Sequence, residues 1–498
     1  MGAVRGVLLD ESVLLSDDVS GSPCLKPGVE GVLRRLRYSN LRIGFCHHVD
    51  VSVKKAMFLQ NTARTYSFSC TLLNSPDASH LFNQLLLEWG IAGDSCFYVA
   101  SQKPEAITYE IQNHNWATVC VGVDSSSTIN KKILFINKLE ELLITICSFS
   151  KKAMQNLSLV VIGYVMKPSR EEDFAKRGAF PMYPTQNRLM FVPLTFEIPL
   201  ESQLQKVDAV LHKATDEIIN FNPLNSTQFS EGVVFSKGIQ ALERFIMDHP
   251  ECCIIDPLNN IYPLLDRYKI QQVLLGLQDL YMKDHCRLRA PHFLKIGNFC
   301  EPNLRDQLSE ANLSFPIIVK PQIACGVGDA HNMALVFKFE DFNDLCVPLP
   351  AILQEYVDHG SLIYKFYVLG NDVFHAVKKS MPNASFLKSS SENAGPGAII
   401  FDSLKSLPVA KDDQFSGGRL TSNTQSLDVD LVNSAANWLK TKLDLTIFGF
   451  DVVIQEDSGD HVIVDLNYLP SFKEVPDADA IPAFWTAIKS AYEARKAS

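Results

Sequence analysis

Asp451, Asp465 and Asn467 are the residues whose types and spacing most directly suggest chemistry. They lie in two apolar, β-branched runs, Phe450-Asp451-Val452-Val453-Ile454-Gln455 and His461-Val462-Ile463-Val464-Asp465-Leu466-Asn467, which flank Glu456-Asp457-Ser458-Gly459-Asp460. A three-residue Asp457-Ser458-Gly459 loop with glycine last is a good hairpin connection. Folded symmetrically about Ser458, the hairpin sets Asp451 opposite Asp465 and brings Asn467 onto the same face two residues on. A hairpin with its acids at a solvated edge is the bland alternative, but acids inside apolar strands are costly unless paired or metal-bound. Two carboxylates and an amide oxygen, with no His or Cys among them, suit Mg²⁺ held partly through nucleotide phosphates better than Zn²⁺ or a redox metal. Such a trio points to phosphoryl transfer.

Other elements must bring phosphate to that spot. Lys320 ends the run Phe315-Pro316-Ile317-Ile318-Val319-Lys320 and precedes Pro321, so it presents an ammonium at a strand end. In Gly326-Val327-Gly328-Asp329-Ala330-His331-Asn332-Met333, the glycines let backbone approach phosphate and His331 can donate to it. The glycine pair alone is a weak signal: no Gly-Lys-Ser/Thr follows as in a P-loop, and the GxGxxG of a dinucleotide fold is incomplete. Leu353-Gln354-Glu355-Tyr356-Val357 ends an apolar strand in polar residues, as a two-lobe linker that hydrogen-bonds an adenine through its backbone would. Taken singly these read as a solvated lysine, a turn and a plain edge. Their order, ending in Asp…Asp-x-Asn, is that of the ATP-grasp fold.

Composition sets the frame. With 498 residues, 46% of them hydrophobic, the chain can bury several cores. A formal charge of −10 argues against nucleic acid as the main partner, since that binding needs net basic surface. Twelve cysteines are scattered without a CxxC pair, as expected for buried thiols in a reducing compartment. No run approaches a membrane span and no leader pattern opens the chain, so a protein of the cytoplasm is expected, with a nuclear pool compatible with the same composition. The polar stretch Ser148-Phe149-Ser150-Lys151-Lys152 suggests a first break. The expected divisions are 1–150, an α/β domain; 157–252; 253–358; and 359–498, which carries a Ser, Asn and Gly-rich loop at 385–418, a helix at 429–442 and the hairpin.

From about Leu157 to Ala497 the chain resembles the inositol 1,3,4-trisphosphate 5/6-kinase family, also called inositol tetrakisphosphate 1-kinases, and most of all its long plant members with an extra N-terminal domain. The residues that carry the likeness are Gly163-Tyr164 with Lys167, Leu211-His212-Lys213-Ala214-Thr215-Asp216, His249-Pro250, Asp256-Pro257, Asp266-Arg267, Val319-Lys320-Pro321, His331-Asn332-Met333-Ala334, Gln354 to Gly360, Tyr364-Lys365, and Asp465-Leu466-Asn467-Tyr468-Leu469-Pro470. The fold this implies is α/β: an ATP-grasp kinase core behind a small α/β domain. The resemblance implies that Lys167, Lys213, His359, Gly360, Lys365, Lys378, Asn467 and Ser471 bind inositol phosphate. It assigns Arg267, Lys320, His331, Gln354, Glu355, Tyr356, Val357 and Ser380 to ATP, and Asp451, Asp465 and Asn467 to Mg²⁺, with two ions expected. A cation cluster is what a polyanionic substrate requires of an acidic protein. With no obligatory covalent nucleophile, direct in-line attack of an inositol hydroxyl on the γ-phosphate suffices. Small-molecule partners and a monomer are expected.

The chain departs from the family in three places, one of them after Lys167, where Arg170 is a second candidate for the family's first substrate cation. Lys378-Lys379-Ser380 stands where members have Arg before the Ser, which keeps charge but loses bidentate phosphate binding, and Pro470-Ser471-Phe472 replaces Pro-Gly-Tyr. These bear on regiospecificity rather than on reaction class. Residues 1–150 resemble, weakly, a haloacid dehalogenase-like phosphatase, with Asp10 in the nucleophile position and Lys103-Pro104 further on. Ser12 replaces the second acid, Cys46 and His47 stand where a hydroxyl is needed, and only Asp124 follows the last strand. That set would cripple general acid catalysis and Mg²⁺ binding, so a non-catalytic relic or docking module is expected. The rival readings are an ATP-grasp carboxylate–amine ligase, which would not need Lys213 and Lys365, a bifunctional kinase and phosphatase, and a sensor without turnover.

Overall fold

Short apolar strands alternating with amphipathic helices build the front of the chain, and long antiparallel hairpins build the back. The computed structural model describes residues 2–74, 78–101, 107–122, 132–221, 232–279, 282–283, 286–388, 397–410 and 426–497. The chain forms two compact units, residues 1–212 with 241–254, and 213–240 with 255–498.

In the first unit, six strands lie in the order Ser69–Leu73, Arg42–His48, Gly6–Asp10, Cys96–Ala100, Ala117–Val121, Ile133–Ile136, all neighbours parallel. Gly6–Asp10 is buried at every position, as a central strand covered on both faces must be. The helix Val29–Arg37 buries Val29, Val32, Leu33 and Leu36, one stripe of a 3.6-residue repeat, and leaves Arg34 and Arg37 outside it. A second sheet of four strands follows, in the order Leu189–Pro193, Val160–Val165, Ala209–His212, Cys253–Ile255. The polar stretch at 148–152 marks a change of sheet but not of core. The helix Glu141–Ala153 runs through it, and Leu142 and Cys147 share one buried cluster with Val161, Met190 and Val192. Its Lys151 pairs with Asp208 at 2.6 Å, and Asp208 accepts from the Val161 N–H at 2.8 Å.

The second unit contains two large antiparallel-rich sheets. One has the order Phe293–Ile296, Ala351–Glu355, Ile317–Pro321, Asn332–Val336, Ile399–Asp402. Ile399–Asp402 lies inside the stretch read from sequence as a plain loop, and it pairs with Asn332–Val336. The other sheet has the order Met282–Lys283, Cys286–Arg289, His461–Tyr468, Ile447–Ile454, Leu362–Leu369, Asp372–Lys379. The helix Val429–Leu443 opens on Asp428, whose carboxylate accepts from the Leu431 N–H, an ordinary N-cap.

Residues 356–361 connect the two sheets. Gly360 and Ser361 both have positive φ there, a sharp turn that glycine makes at least cost. Asn383 fastens it: its Oδ1 accepts from the His359 and Gly360 N–H groups at 3.2 and 3.1 Å, and its Nδ2 donates to Glu456 at 2.7 Å. Asn383→Ala would strand two N–H groups of the turn. It should lower the unfolding free energy by about 1–3 kcal/mol in a denaturant titration, the scale of an unsatisfied buried polar group.

Candidate active site

The hairpin strands Ile447–Ile454 and His461–Tyr468 place Asp451 opposite Asp465 and Gly449 opposite Asn467. The route to that pairing differs from the symmetric three-residue loop. Gln455 N–H donates to Asp460 O at 2.9 Å and Gly459 N–H to Gln455 O at 2.8 Å, so the loop is one residue longer, with Gly459 at positive φ. Near the loop Ile454 faces His461 and Val452 faces Ile463, which would put Asp451 opposite Val464. A β-bulge after Ile463 leaves Val464 without a cross-strand partner and restores the Asp451–Asp465 pair. Ile463 and Leu466 can then both face the core while Asp465 and Asn467 share the other face. Gly449 is required beside them, since a Cβ there would meet Phe366 O at 2.9 Å and Pro470 at 3.1 Å.

The carbonyl of the bulged Val464 accepts a long hydrogen bond from Lys320 Nζ, 3.4 Å away. Lys320 ends its strand almost fully buried, and burial pushes its ammonium down to about 8, opposed chiefly by the Asp465 charge. Arg267 opens the helix Arg267–Leu275 behind its N-cap Asp266. Its guanidinium donates to the carbonyls of Pro321, Ile323 and Ala330 at 2.7, 2.8 and 3.1 Å, and to Ala324 at 3.3 Å. These bonds make it a clamp for the loop from Pro321 to Ala330, a role the motif alone did not suggest. The same loop holds Gly326 at φ +89, where a Cβ would strike Ile218 at 2.6 Å. His331 Nδ1 lies 3.1 Å from Ser403 Oγ, and burial with the Arg267 charge lowers its pKa.

Across the neighbouring strand, Lys365 stands in register with Asp451 and pairs with it at 2.8 Å. Burial alone would lower Lys365, but the Asp451 carboxylate outweighs it and holds the ammonium above its usual range. Asp451 itself is raised, first by burial and then by Asp465, against the pull of Lys365. One lysine therefore leaves this pair of acids incompletely compensated, an environment in which a hard divalent cation fits. Asn467 donates from Nδ2 to Asp465 Oδ2 at 3.3 Å, which ties the two side chains together on one face. Lys213 reaches this strand too, donating to Tyr468 O with its ammonium 5.0 Å from the Tyr468 ring centre.

Other expected residues are engaged in ways that only the fold reveals. Glu355 takes a bidentate pair from Arg289, 2.8 and 2.9 Å, and the His292 N–H at 2.9 Å, so its side chain is committed to the scaffold. Gln354 is buried with its Oε1 3.4 Å from Gln271 Nε2, and Tyr356 donates to Pro382 O at 2.5 Å. His359 is buried in the connecting turn, its Nδ1 2.6 Å from Val357 O, and Gly360 makes the turn itself. Lys378 pairs with Glu474, which also accepts from Tyr367 OH at 2.6 Å. Ser380 is buried, with its N–H 2.7 Å from Ser361 O. Ser471 sits between Leu469 and Phe472, both at positive φ where the family pattern has a glycine nearby.

Sequence reasoning missed Glu474 and Arg289, whose only local signal is a charge beside apolar residues. Lys167 belongs to the first unit, where it precedes the helix Pro168–Lys176. So does Asp10, which accepts from Tyr98 OH at 2.6 Å and lies 3.1 Å from His48 Nε2, a histidine the motif comparison passed over for its neighbour His47. Lys103 and Asp124 lie outside the described residues. No described helix is long and apolar enough to cross a membrane.

Comparisons with known proteins show the family. Residues 282–484 match the family described as the inositol 1,3,4-trisphosphate 5/6-kinase ATP-grasp domain, and residues 1–152 match the ITPK4 N-terminal HAD-like domain. Inositol-tetrakisphosphate 1-kinase 6 of Oryza sativa subsp. japonica is 56% identical over 504 residues, spanning 100% of this chain and 91% of the rice protein. The zebrafish (Danio rerio) inositol-tetrakisphosphate 1-kinase is 28% identical over 290 residues, 57% of this chain and 68% of that protein. A crystal structure of the VanG D-Ala:D-Ser ligase from Enterococcus faecalis covers 68% of this chain and 98% of its own at 13% identity with a TM-score of 0.38, too slight a likeness to bear on function.

The buried lysine gives a direct check of the electrostatics. In the nucleotide-free protein, ¹³C NMR of the lysine Cε groups should show Lys320 titrating near pH 8, and Asp465→Asn should drive it lower by removing the charge that opposes burial. A Lys320 titrating in the ordinary range near 10 would remove that account of the site.

Proposed function

Because the chain belongs to the inositol-tetrakisphosphate 1-kinase family and is an ATP-dependent inositol polyphosphate kinase with an ATP-grasp core behind a HAD-like domain, we propose that Asp451, Asp465 and Asn467 hold Mg²⁺, as two ions, on the hairpin face opposite Phe450 and Leu466. The observation that supports this reading is the incompletely neutralised pair of acids, set side by side by a bulge and ringed by Lys320, Lys365 and Arg267. Bound there, the metal would neutralise charge developing on the β- and γ-phosphates.

The chain's own residues supply the rest. Lys320 and His331 bind nucleotide phosphate, Arg267 keeps their loop in shape, and the backbone of Gln354 to Val357 takes the adenine, since the Glu355 side chain is committed to Arg289. Ser380 belongs to the nucleotide side. Lys213, Lys365, Lys378, Asn467 and Ser471 face the inositol phosphate, with Glu474 setting where Lys378 points. Lys167, His359 and Gly360 enter from the family pattern alone, the last two shaping the turn between sheets. An inositol hydroxyl forms its bond to the γ-phosphorus as the bridging oxygen leaves with ADP, with no phosphorylated side chain between. The carboxylate–amine ligase reading is not favoured by the family assignment. Free cysteines, five of them buried, suit a reducing compartment, and we place the enzyme in the cytoplasm with access to the nucleus.

Purified protein incubated with Mg-ATP and a panel of inositol tris- and tetrakisphosphates should yield a product with one added phosphate per ATP consumed. Consumption of ATP only with a carboxylate and an amine would overturn the reading. Asp451→Asn should cut turnover about a hundredfold or more, the scale of roughly 3 kcal/mol of transition-state stabilisation. Since burial and Asp465 raise its pKa, ionised Asp451 costs folding free energy at neutral pH, so the same variant should melt no lower, and is expected to melt higher, in Mg²⁺-free buffer.

Lys213 tests the substrate side. Lys213→Ala removes a charge-assisted hydrogen bond worth roughly 1.5–3 kcal/mol, so kcat/KM for the inositol phosphate should fall about ten- to more than a hundredfold. Nucleotide affinity, measured without substrate, should stay nearly unchanged; equal weakening of ATP binding would move Lys213 to the nucleotide site.

A further inference from the structure

Asp10, Glu11 and His48, at the C-terminal ends of adjacent strands in the first unit, form the one group among the described residues in which three or more His, Cys, Asp or Glu ligand atoms lie within 4.8 Å of one another. The geometry points to a binding site there for a zinc-class divalent cation, separate in chemistry from the Mg²⁺ expected at the hairpin. Asp10 is buried at the end of Gly6–Asp10, and His48 ends the paired strand Arg42–His48. The Asp10 carboxylate is fixed on both oxygens. Oδ1 accepts from the Ser12 N–H at 3.0 Å, and Oδ2 accepts from Tyr98 OH at 2.6 Å, with His48 Nε2 3.1 Å away. Such outer hydrogen bonds orient a carboxylate ligand and are what metal sites use.

Two further observations point to a ligand. Glu11 Oε2 is buried without a hydrogen-bond partner, near the Asp10 carboxylate, where an unpaired polar oxygen is costly. An open cleft of about 570 Å³ is lined by two of the three residues, Glu11 and His48, together with Ser12, Asp50, Ser52 and Lys55 among others. The donor set then selects the ion. A phosphatase of this fold family would need a second acid two residues after Asp10, but Ser12 stands there and its Oγ is taken by the Ser101 N–H at 3.1 Å. An imidazole nitrogen with two carboxylates suits Zn²⁺, which accepts nitrogen and oxygen in a tetrahedral shell, better than Mg²⁺, which demands near-octahedral oxygen. Three protein ligands leave the fourth position to the cleft. The competing account is a plain His48–Asp10 ion pair.

The full chain, stripped with a chelator and carrying Asp465→Asn to disable the hairpin site, should bind one Zn²⁺ in a calorimetric titration. His48→Asn and Glu11→Gln should each weaken that binding at least about tenfold, with melting curves showing that the variants stay folded; neither side chain lies in the core. Excess Mg²⁺ should not displace the Zn²⁺. X-ray absorption at the zinc edge, on protein with Asp10, Glu11 and His48 intact, gives a readout independent of how the variants fold: it should show one imidazole and oxygen neighbours. Absence of binding, binding unchanged in both variants, displacement by Mg²⁺, or a zinc shell of sulfur would each overturn the assignment and leave the ion pair.

Discussion

Two like charges held side by side dominate the second unit. Asp451 and Asp465 face each other across a hairpin whose other side is packed with Phe448, Phe450, Val452, Ile463 and Leu466, so the two acids cannot move apart without breaking the sheet. Much of the surrounding structure answers that repulsion. Lys365 pairs with Asp451 across the next strand, and Lys320 and Arg267 stay charged in burial partly because Asp465 is near. Like charges alone would be a defect; with Lys365 paired to one of them and Lys320 and Arg267 nearby, their repulsion is offset within the unit.

The bulge at Val464 shows how a local irregularity serves that arrangement. It turns Asp465 away from the core face that parity with Ile463 would give it, and its carbonyl accepts from Lys320. One extra residue thus re-aims the Asp465 side chain and supplies an acceptor to a buried ammonium, the kind of re-aiming for which bulges recur near functional sites. Arg267 works similarly on the opposite sheet. A buried guanidinium must find acceptors, and four carbonyls of the loop from Pro321 to Ala330 provide them, so the cost of burying the charge is offset by fixing the loop that carries the glycines.

The first unit follows another logic. Its parallel sheet ends Asp10 and His48 side by side at the edge where ligands bind in open α/β sheets, yet the acid pattern of a phosphatase is broken at Ser12. A weak sequence likeness was enough to suggest the HAD-like fold, which the match of residues 1–152 shows.

Local pattern determined a good deal about this protein. Alternation and β-branching marked the hairpin, the lysine strand and the strand before the linker; a helix was legible from Val429 on; and the motif order marked the ATP-grasp core and its kinase family, because strand periodicity and short motifs are properties of neighbouring residues. What tertiary structure alone decided is which charges meet. Lys365 and Asp451 are 86 residues apart, Lys378 and Glu474 are 96 apart, and Arg289 and Glu355 are 66 apart. The loop length and bulge of the hairpin escaped for the same reason: the symmetric register and the bulged one pair the same two aspartates, and only packing of Ile463 and Leu466 on one core face chooses between them. Partners so distant in the chain leave no periodic trace, since their meeting depends on strand order and register across a whole sheet.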